Sequence, residues 1–199
     1  MYGLKALEDQ QLKVAEINKL NDPFEFLGYK LNHDGWDKEV KRVKDALSKS
    51  TGILCFSETY NDPVQWAHYT EQHKGLCLGF DIPNELLHKV KYIKRRPRFP
   101  DIRNLNEEVM KNSLLKKFKH WEYEEEWRMY IDLPKNKIIN SLYFESFSNQ
   151  LALKEVIIGI ESSITKNEIE KMLGRKINDI RIYTTRLSTV DFKIVKKTL

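Results

Sequence analysis

The sequence predicts an α+β protein that folds as a single domain. Short apolar stretches of strand length are scattered among a few helical stretches, without the regular alternation of a parallel βαβ sheet. The chain has 199 residues, of which 41% are hydrophobic and 32% charged, the size and mixture typical of one soluble globular domain. Because no internal repeat, low-complexity tract or Gly/Ser-rich linker divides it, we expect one domain over residues 1–199.

The first half of the chain contains signals for both strands and helices. Apolar residues recur every three or four positions over 36–47, which predicts a helix. Asp62 and Pro63 are the residue types of a helix start, and Gly75 ends the segment that follows. The expected elements are a strand over 12–15, a helix over 36–47, a strand over 53–57, a helix over 62–72 and strands over 76–81 and 90–93.

The second half is expected to be richer in strands. Thr165 and Glu168 have the spacing of a capping box, which predicts a helix from 165 to 173. The other expected elements are a helix over 104–118, a strand over 127–133, a return strand from 138, a strand over 156–160 and strands over 180–183 and 192–195.

Three features argue for a cytoplasmic protein that does not span a membrane. The longest apolar run, Val156–Ile160, is far shorter than the about 20 residues that a membrane helix needs. The first residues lack the basic and apolar regions of a secretory signal. The two cysteines, Cys55 and Cys77, do not form a disulfide framework, so we expect a reducing compartment.

Positive charge is concentrated between residues 89 and 103, whereas the chain as a whole carries only +5. Such a cluster can attract the phosphates of RNA or DNA, or an acidic protein. An ordinary solvated surface explains it equally well. The candidate contact residues are Lys89, Lys91, Lys94, Arg95, Arg96 and Arg98.

An acidic segment at residues 122–126 precedes an apolar strand. In extended geometry Glu124, Glu126 and Arg128 point the same way, so the two carboxylates form an E-x-E pair beside a cation. One carboxylate could bind a sugar hydroxyl and stabilise an oxocarbenium-like cation, and the other could orient or deprotonate a nucleophile. The structural alternative is a solvated strand edge at which Arg128 neutralises Glu126.

The aromatic helix over 62–72 and the two cysteines are further candidates. Trp66 and Tyr69 share a helix face suited either to core packing or to stacking on a flat ring. A zinc site made by Cys55, Cys77 and the histidines of this segment lacks the usual ligand spacing, so no metal site is expected. Both cysteines are expected to be buried in apolar strands as small hydrophobic residues.

Several segments in order resemble a bacterial family, the domain of unknown function 2971. The resemblance extends from about residue 12 to 160. The segments are Leu20-Asn21-Asp22-Pro23-Phe24-Glu25, Cys55-Phe56-Ser57-Glu58, Trp66-Ala67-His68-Tyr69, His73-Lys74-Gly75-Leu76-Cys77-Leu78-Gly79-Phe80-Asp81 and Tyr123-Glu124-Glu125-Glu126-Trp127-Arg128.

This family looks like a divergent group of ADP-ribosyltransferases, which implies split mixed or antiparallel sheets with flanking helices, and NAD as a substrate. By that resemblance Glu126 binds the nicotinamide ribose, Glu124 assists the acceptor, and Ser57 occupies the second-strand position. The first-strand His or Arg of that superfamily has no counterpart here, where the chain offers Tyr2. The remaining residues assigned to NAD are Tyr69, Trp66, His68 and Tyr2.

The resemblance implies an NAD-dependent ADP-ribosyltransferase that modifies a protein or a nucleic acid, as small bacterial toxins and phage-defence effectors do. One alternative is a non-catalytic module that binds nucleic acid or a partner through residues 89–103. Another is a metal-dependent hydrolase or nuclease, in which the two glutamates and Asp81 hold Mg²⁺.

Overall fold

The computed structural model describes residues 2–25, 27–30, 36–99, 106–174 and 179–197. It has mixed α+β structure with several sheets, which confirms the predicted class. The helices are α1 (Tyr2–Asp9), α2 (Trp36–Ser50), α3 (Pro63–Tyr69), α4 (Glu107–Leu114) and α5 (Lys166–Leu173). The strands are β1 (Gln11–Lys13), β2 (Ala15–Glu16), β3 (Thr51–Ser57), β4 (Leu76–Asp81), β5 (His88–Lys89), β6 (Lys91–Ile93), β7 (Lys116–Phe118), β8 (Glu126–Asp132), β9 (Lys137–Ile139), β10 (Leu142–Ser146), β11 (Ala152–Ile158), β12 (Arg181–Leu187) and β13 (Ile194–Lys196).

The chain divides into two compact units, each assembled from separate segments. Unit 1 comprises Met1–Leu12, Thr59–Asn84 and Ser146–Leu199, and unit 2 comprises Lys13–Glu58 and Glu85–Glu145. The single domain expected from the sequence, and the likeness of the fold to ADP-ribosyltransferases, stay predictions.

Unit 1 is built on a four-stranded mixed sheet in the order β13-β12-β11-β4. β11 is parallel to β12 and antiparallel to β4, so the apolar β11 lies in the interior of the sheet. Helices α1 and α5 contribute Leu7, Ile169 and Leu173 to a core that also contains Val156 and Ile158. The capping box of α5 is present, because Thr165 accepts from the Glu168 backbone N–H and the Glu168 carboxylate accepts from that of Thr165.

Unit 2 is built on a four-stranded antiparallel arrangement in the order β2-β3-β8-β5. β3 pairs along its full length with β8, from Thr51 opposite Asp132 to Ser57 opposite Glu126. Helices α2 and α4 cover this sheet with a core formed by Ile17, Val40, Val43, Leu47, Ile53, Met110 and Leu114. Strands β6 and β7 form a separate parallel pair.

Helix α3 is shorter than predicted. It ends at Tyr69 because Glu71, Gln72 and His73 all have positive φ angles, which no α-helix accommodates. The turn they form brings the carbonyls of His73 and Gly75 close to Gly159, whose N–H donates to Gly75 at 3.0 Å. A Cβ at position 159 would collide with the His73 carbonyl, so the turn requires glycine there.

The helix predicted over 104–118 is also wrong in its second half. Asn106 caps α4 by accepting from the Val109 N–H, the helix ends at Leu114, and residues 116–118 pair with β6 instead. Residues 104 and 105 lie outside the described residues. The acidic segment is not extended either: Lys119–Glu124 form a 3₁₀-helix, and Glu125 is left-handed with φ 43°. The strand therefore begins at Glu126.

Among the described residues, no helix combines the length and the apolar character needed to cross a bilayer.

Candidate functional site

Five charged residues form a buried ionic cluster in unit 2: Glu25, Lys117, Glu124, Glu126 and Arg128. They come from the turn after Pro23, from β7, from the end of the 3₁₀-helix and from the start of β8. Charged side chains are rarely buried unless they are paired, and here each of them is.

Arg128 is the centre of this ionic cluster and has no exposed surface. Its Nε and Nη2 donate to the two oxygens of Glu126 at 2.7 and 3.0 Å. Its Nη1 and Nη2 donate to the two oxygens of Glu25 at 2.8 and 2.7 Å, and Nη1 also donates to the Leu114 carbonyl at 2.6 Å. These five contacts use the five N–H donors of a guanidinium. A lysine has only three N–H donors and could not make all of them.

Lys117 completes the ionic cluster from β7. Its ammonium lies 2.5 Å from a Glu124 oxygen, 3.0 Å from a Glu126 oxygen and 3.7 Å from a Glu25 oxygen. It also lies 4.9 Å from the centre of the Trp121 ring, a cation–π contact. Glu126 is thereby held on one side by Arg128 and on the other by Lys117.

The ionic cluster holds Glu126 in its ionised form. Burial alone would raise the pKa of Glu126, but the hydrogen bonds and charge of Arg128, with Lys117 and the Cys55 thiol, lower it below its ordinary value. Burial would likewise lower the pKa of Lys117, but the charges of Glu126 and Glu124 raise it. The ionic cluster has three glutamates, one lysine and one arginine, so its formal charge is −1.

We expect acid to destabilise the protein through Glu126. Because the pKa of Glu126 is lower in the folded state, its contribution is fully present above its ordinary pKa and is lost as the pH falls through the folded value. Urea unfolding at a series of pH values should show the free energy of unfolding falling below about pH 5, by up to about 1.4 kcal/mol per pH unit for each proton taken up. Equal slopes for the wild type and Glu126→Gln would contradict this assignment.

Exposed polar side chains lie beside the ionic cluster on the same face of the sheet. Ser57 is the register partner of Glu126, while Cys55 and His88 flank Arg128 from the two neighbouring strands. Cys55 is exposed, so the predicted burial of this residue is wrong, because its strand is uncovered at this end. Its thiol group, however, is hydrogen-bonded to the buried Glu126 carboxylate, and desolvation there, together with the Glu126 charge, raises the pKa of Cys55 well above its ordinary value. A thiol in this state is a poor nucleophile.

Three of the site residues assigned from the sequence come together in unit 2. Glu124 and Glu126 share Lys117, and Ser57 is the neighbour of Glu126. The ion pair of Arg128 with Glu126 is confirmed, but the solvated strand edge expected around it is wrong because both residues are buried.

The aromatic candidates lie in unit 1. Trp66 is 2% exposed, donates its indole N–H to the Tyr60 carbonyl at 2.5 Å and packs in a core cluster with Ile157 and Ile194. Tyr69 is exposed, and its ring meets that of His68 edge to face. Tyr2 belongs to α1, and its side chain lies outside the described residues.

Sequence reasoning missed two members of the ionic cluster, Glu25 and Lys117. Glu25 follows the turn signal at residues 21–23, and a turn alone accounts for the residue types there, so nothing indicates that Glu25 is buried. Lys117 falls within the segment predicted as helix, where it would be one more surface lysine. No local signal distinguishes Lys117 from its neighbours, because its position follows from the pairing of β7 with β6.

Residues 65–129 match the family model of DUF2971, a protein of unknown function. This match supports the family-level resemblance. It begins in α3 and extends past Glu124, Glu126 and Arg128 into β8. No curated protein and no solved structure matches the chain.

The matched segment contains every member of the ionic cluster except Glu25, which precedes it. Within the described ranges, no group of three or more His, Cys, Asp or Glu side chains is arranged to hold a metal ion.

Proposed function

We propose that the protein is an NAD-dependent ADP-ribosyltransferase that uses the Ser57–Glu126 end of the unit 2 sheet. The observation that carries the proposal is the register pair of Ser57 with Glu126, an exposed hydroxyl beside an ionised carboxylate at the start of a strand. Further support comes from the resemblance of the sequence to that superfamily, in which these two strand positions bind NAD.

The reaction requires a negative charge close to a developing cation. The bond between C1′ of the nicotinamide ribose and the nicotinamide nitrogen breaks, and nicotinamide leaves with the electron pair. An acceptor nucleophile then bonds to C1′ and loses a proton. The resulting oxocarbenium-like charge is stabilised by a fixed carboxylate, and the stabilisation is strongest where water is excluded. Glu126 contributes to this requirement through the net formal charge of −1 of the ionic cluster, in which Arg128 and Lys117 fix its orientation.

The contacts divide the roles among the three residues. Ser57 is exposed and is proposed to bind a ribose hydroxyl. Glu126, the register neighbour of Ser57, is proposed to supply the negative charge that stabilises the developing cation. Glu124 is held by Lys117 at 2.5 Å, and we propose that it positions Lys117 and Glu126 instead of accepting a proton from the acceptor.

The test measures NAD binding by calorimetry and nicotinamide release by product assay in four proteins: the wild type, Ser57→Ala, Glu126→Gln and Glu39→Gln. We expect Ser57→Ala to weaken NAD binding by about 3- to 10-fold through loss of one hydrogen bond. Glu126→Gln keeps the shape but removes the charge, and should lower the rate of nicotinamide release by about 100-fold or more. Glu39 is an exposed carboxylate paired with Arg42, so Glu39→Gln should leave both measurements unchanged.

Thermal unfolding of the same four proteins separates chemistry from folding. A loss of activity in Glu126→Gln at a temperature where the protein is still fully folded supports the proposal. Absence of NAD binding by the wild type, or full nicotinamide release by Glu126→Gln, would overturn it.

A further inference from the structure

Unit 2 has a second feature, a surface that contains both exposed cations and exposed rings. We call it the basic–aromatic surface, formed by the rings Phe24 and Phe118 and the cations Lys30, Lys91, Arg95, Arg96 and Arg98. It differs from the ionic cluster because its side chains are exposed to solvent.

The fold brings these residues together from three segments that are distant in sequence. The Lys30 N–H donates to the Pro97 carbonyl at 2.8 Å, and Lys30 and Arg98 form a parallel β-bridge. The Arg96 guanidinium lies 5.6 Å from the centre of the Phe24 ring. The turn after Pro23 and the basic stretch after β6 thus form one surface.

The parallel pair β6–β7 adjoins this surface, because the Lys116 ammonium on β7 donates to the hydroxyl of Tyr29, the neighbour of Lys30, at 3.0 Å. Lys91 is the register neighbour of Lys116, and Ile93 that of Phe118. Because side chains alternate along a strand, this face is opposite to the one that carries Lys117 toward the ionic cluster. The Phe118 ring packs against the tilted ring of His120, with ring centroids 4.4 Å apart.

Among the described residues, no acidic side chain pairs with the cations of the basic–aromatic surface. Residues 88–98 contain no Asp or Glu. In the described part of the chain, none of these cations makes an ion pair: Lys30, Lys91, Arg95, Arg96 and Arg98. Lys89, in contrast, is paired with Glu58 at 2.6 Å. The surface is therefore complementary to a polyanion.

The exposed rings specify which polyanion. Phe24 is 56% exposed and Phe118 is 44% exposed, so each presents ring surface to solvent. Aromatic rings interleaved with Lys and Arg bind single-stranded nucleic acid, because unpaired bases stack on the rings while the cations contact phosphates. In a duplex the bases are already stacked on each other. We propose that the basic–aromatic surface binds single-stranded RNA or DNA, independently of the NAD chemistry proposed above.

Two other partners fit less well. An acidic protein would use the cations but would leave the rings without a matching flat group. An anionic membrane would need a continuous apolar area to insert, whereas here Arg96 lies over Phe24 and His120 over Phe118.

The test is fluorescence anisotropy with labelled oligothymidylate and oligouridylate of about 20 nucleotides, a length that spans at least one typical binding site. The variants are Phe24→Ala, Phe118→Ala and the double variant Arg95→Gln/Arg98→Gln. Phe192→Ala is the matched ring control, because Phe192 is 99% exposed in unit 1. Lys38→Gln/Lys41→Gln is the matched charge control on α2. Unchanged thermal unfolding of each variant establishes that the fold is intact.

We expect the wild type to bind single strands more tightly than the matching duplex, with an affinity that falls steeply as salt increases. Each ring variant should weaken binding by about 5- to 100-fold with little change in salt dependence. The double arginine variant should weaken binding and reduce the salt slope by about 0.7 for each phosphate that is no longer neutralised. Both controls should bind as the wild type does.

Three outcomes would overturn the proposal. The first is absence of binding to either oligonucleotide at low salt. The second is an equal weakening of binding in the ring variants and in Phe192→Ala. The third is that phosphatidylglycerol vesicles or polyglutamate bind as tightly as the single strand does, and that the ring variants weaken none of these interactions.

Discussion

Replacing Arg128 with methionine is expected to lower the free energy of unfolding by about 3–5 kcal/mol, the cost of breaking a buried ion pair by removing one partner. Methionine fills much of the same volume but leaves Glu25 and Glu126 without their bidentate partner and the Leu114 carbonyl without a donor. The formal charge of the ionic cluster changes from −1 to −2. A destabilisation of this size corresponds to a fall in Tm of roughly 10 °C for a chain of this length.

The measurement is urea unfolding of the variant beside Arg42→Met. Arg42 forms an exposed ion pair with Glu39, so its replacement should change the free energy of unfolding by less than about 0.5–1 kcal/mol. If Arg128→Met costs no more than Arg42→Met, the ionic cluster does not hold the fold together.

Replacing Lys117 with methionine should have a comparable effect, again about 3–5 kcal/mol at neutral pH. Three carboxylates would then face the single cation of Arg128. The distinguishing feature is the pH dependence. Without the ammonium, the folded state of the variant binds a proton on a carboxylate more readily than the unfolded state does. The deficit relative to the wild type should therefore shrink as the pH falls from about 7 to 5.

Two comparisons make this prediction specific. Lys119→Met removes an exposed lysine paired with Glu122 and should cost little at any pH. Glu126→Gln removes a negative charge from a cluster that has one in excess, so it should cost less than either methionine variant. A larger destabilisation in Glu126→Gln than in Lys117→Met would contradict the charge count.

The local signals in the sequence predicted the fold best. The capping box at Thr165 and Glu168 placed α5 correctly, because a cap involves only residues three apart. The apolar spacing over 36–47 placed α2, whose Val40, Val43 and Leu47 are buried. The prediction of a strand at β3 is also correct, since an apolar run this short between turn signals is too short to form a helix.

The ionic cluster could be predicted only in part. The proximity of Glu126 and Arg128 follows from strand alternation, and it was foreseen. Glu25 lies 103 positions from Arg128, and no local pattern reports a contact over that distance. Lys117 was placed in a helix because its neighbours favour helix, whereas pairing of β7 with β6 decided the outcome. Glu124 reaches Lys117 from a 3₁₀-helix, through the left-handed Glu125.

The basic–aromatic surface was missed for a similar reason. Between residues 89 and 98 the sequence has a single aromatic residue, Tyr92. Its hydroxyl accepts from the Glu126 N–H, so this ring is not part of the basic–aromatic surface. Phe24 and Phe118 are supplied by other segments, and only the fold brings them together with the cations.

The discontinuous make-up of the two units has a consequence for synthesis on the ribosome. Every segment of unit 2 has been translated by Glu145, whereas β4 of unit 1 must wait for β11 before its apolar residues are covered. At about 5–20 residues per second, that wait lasts seconds. During this interval the edge of β4 that later pairs with β11 is exposed to other nascent chains. A chaperone that binds extended apolar segments would therefore bind β4 before β11 is made.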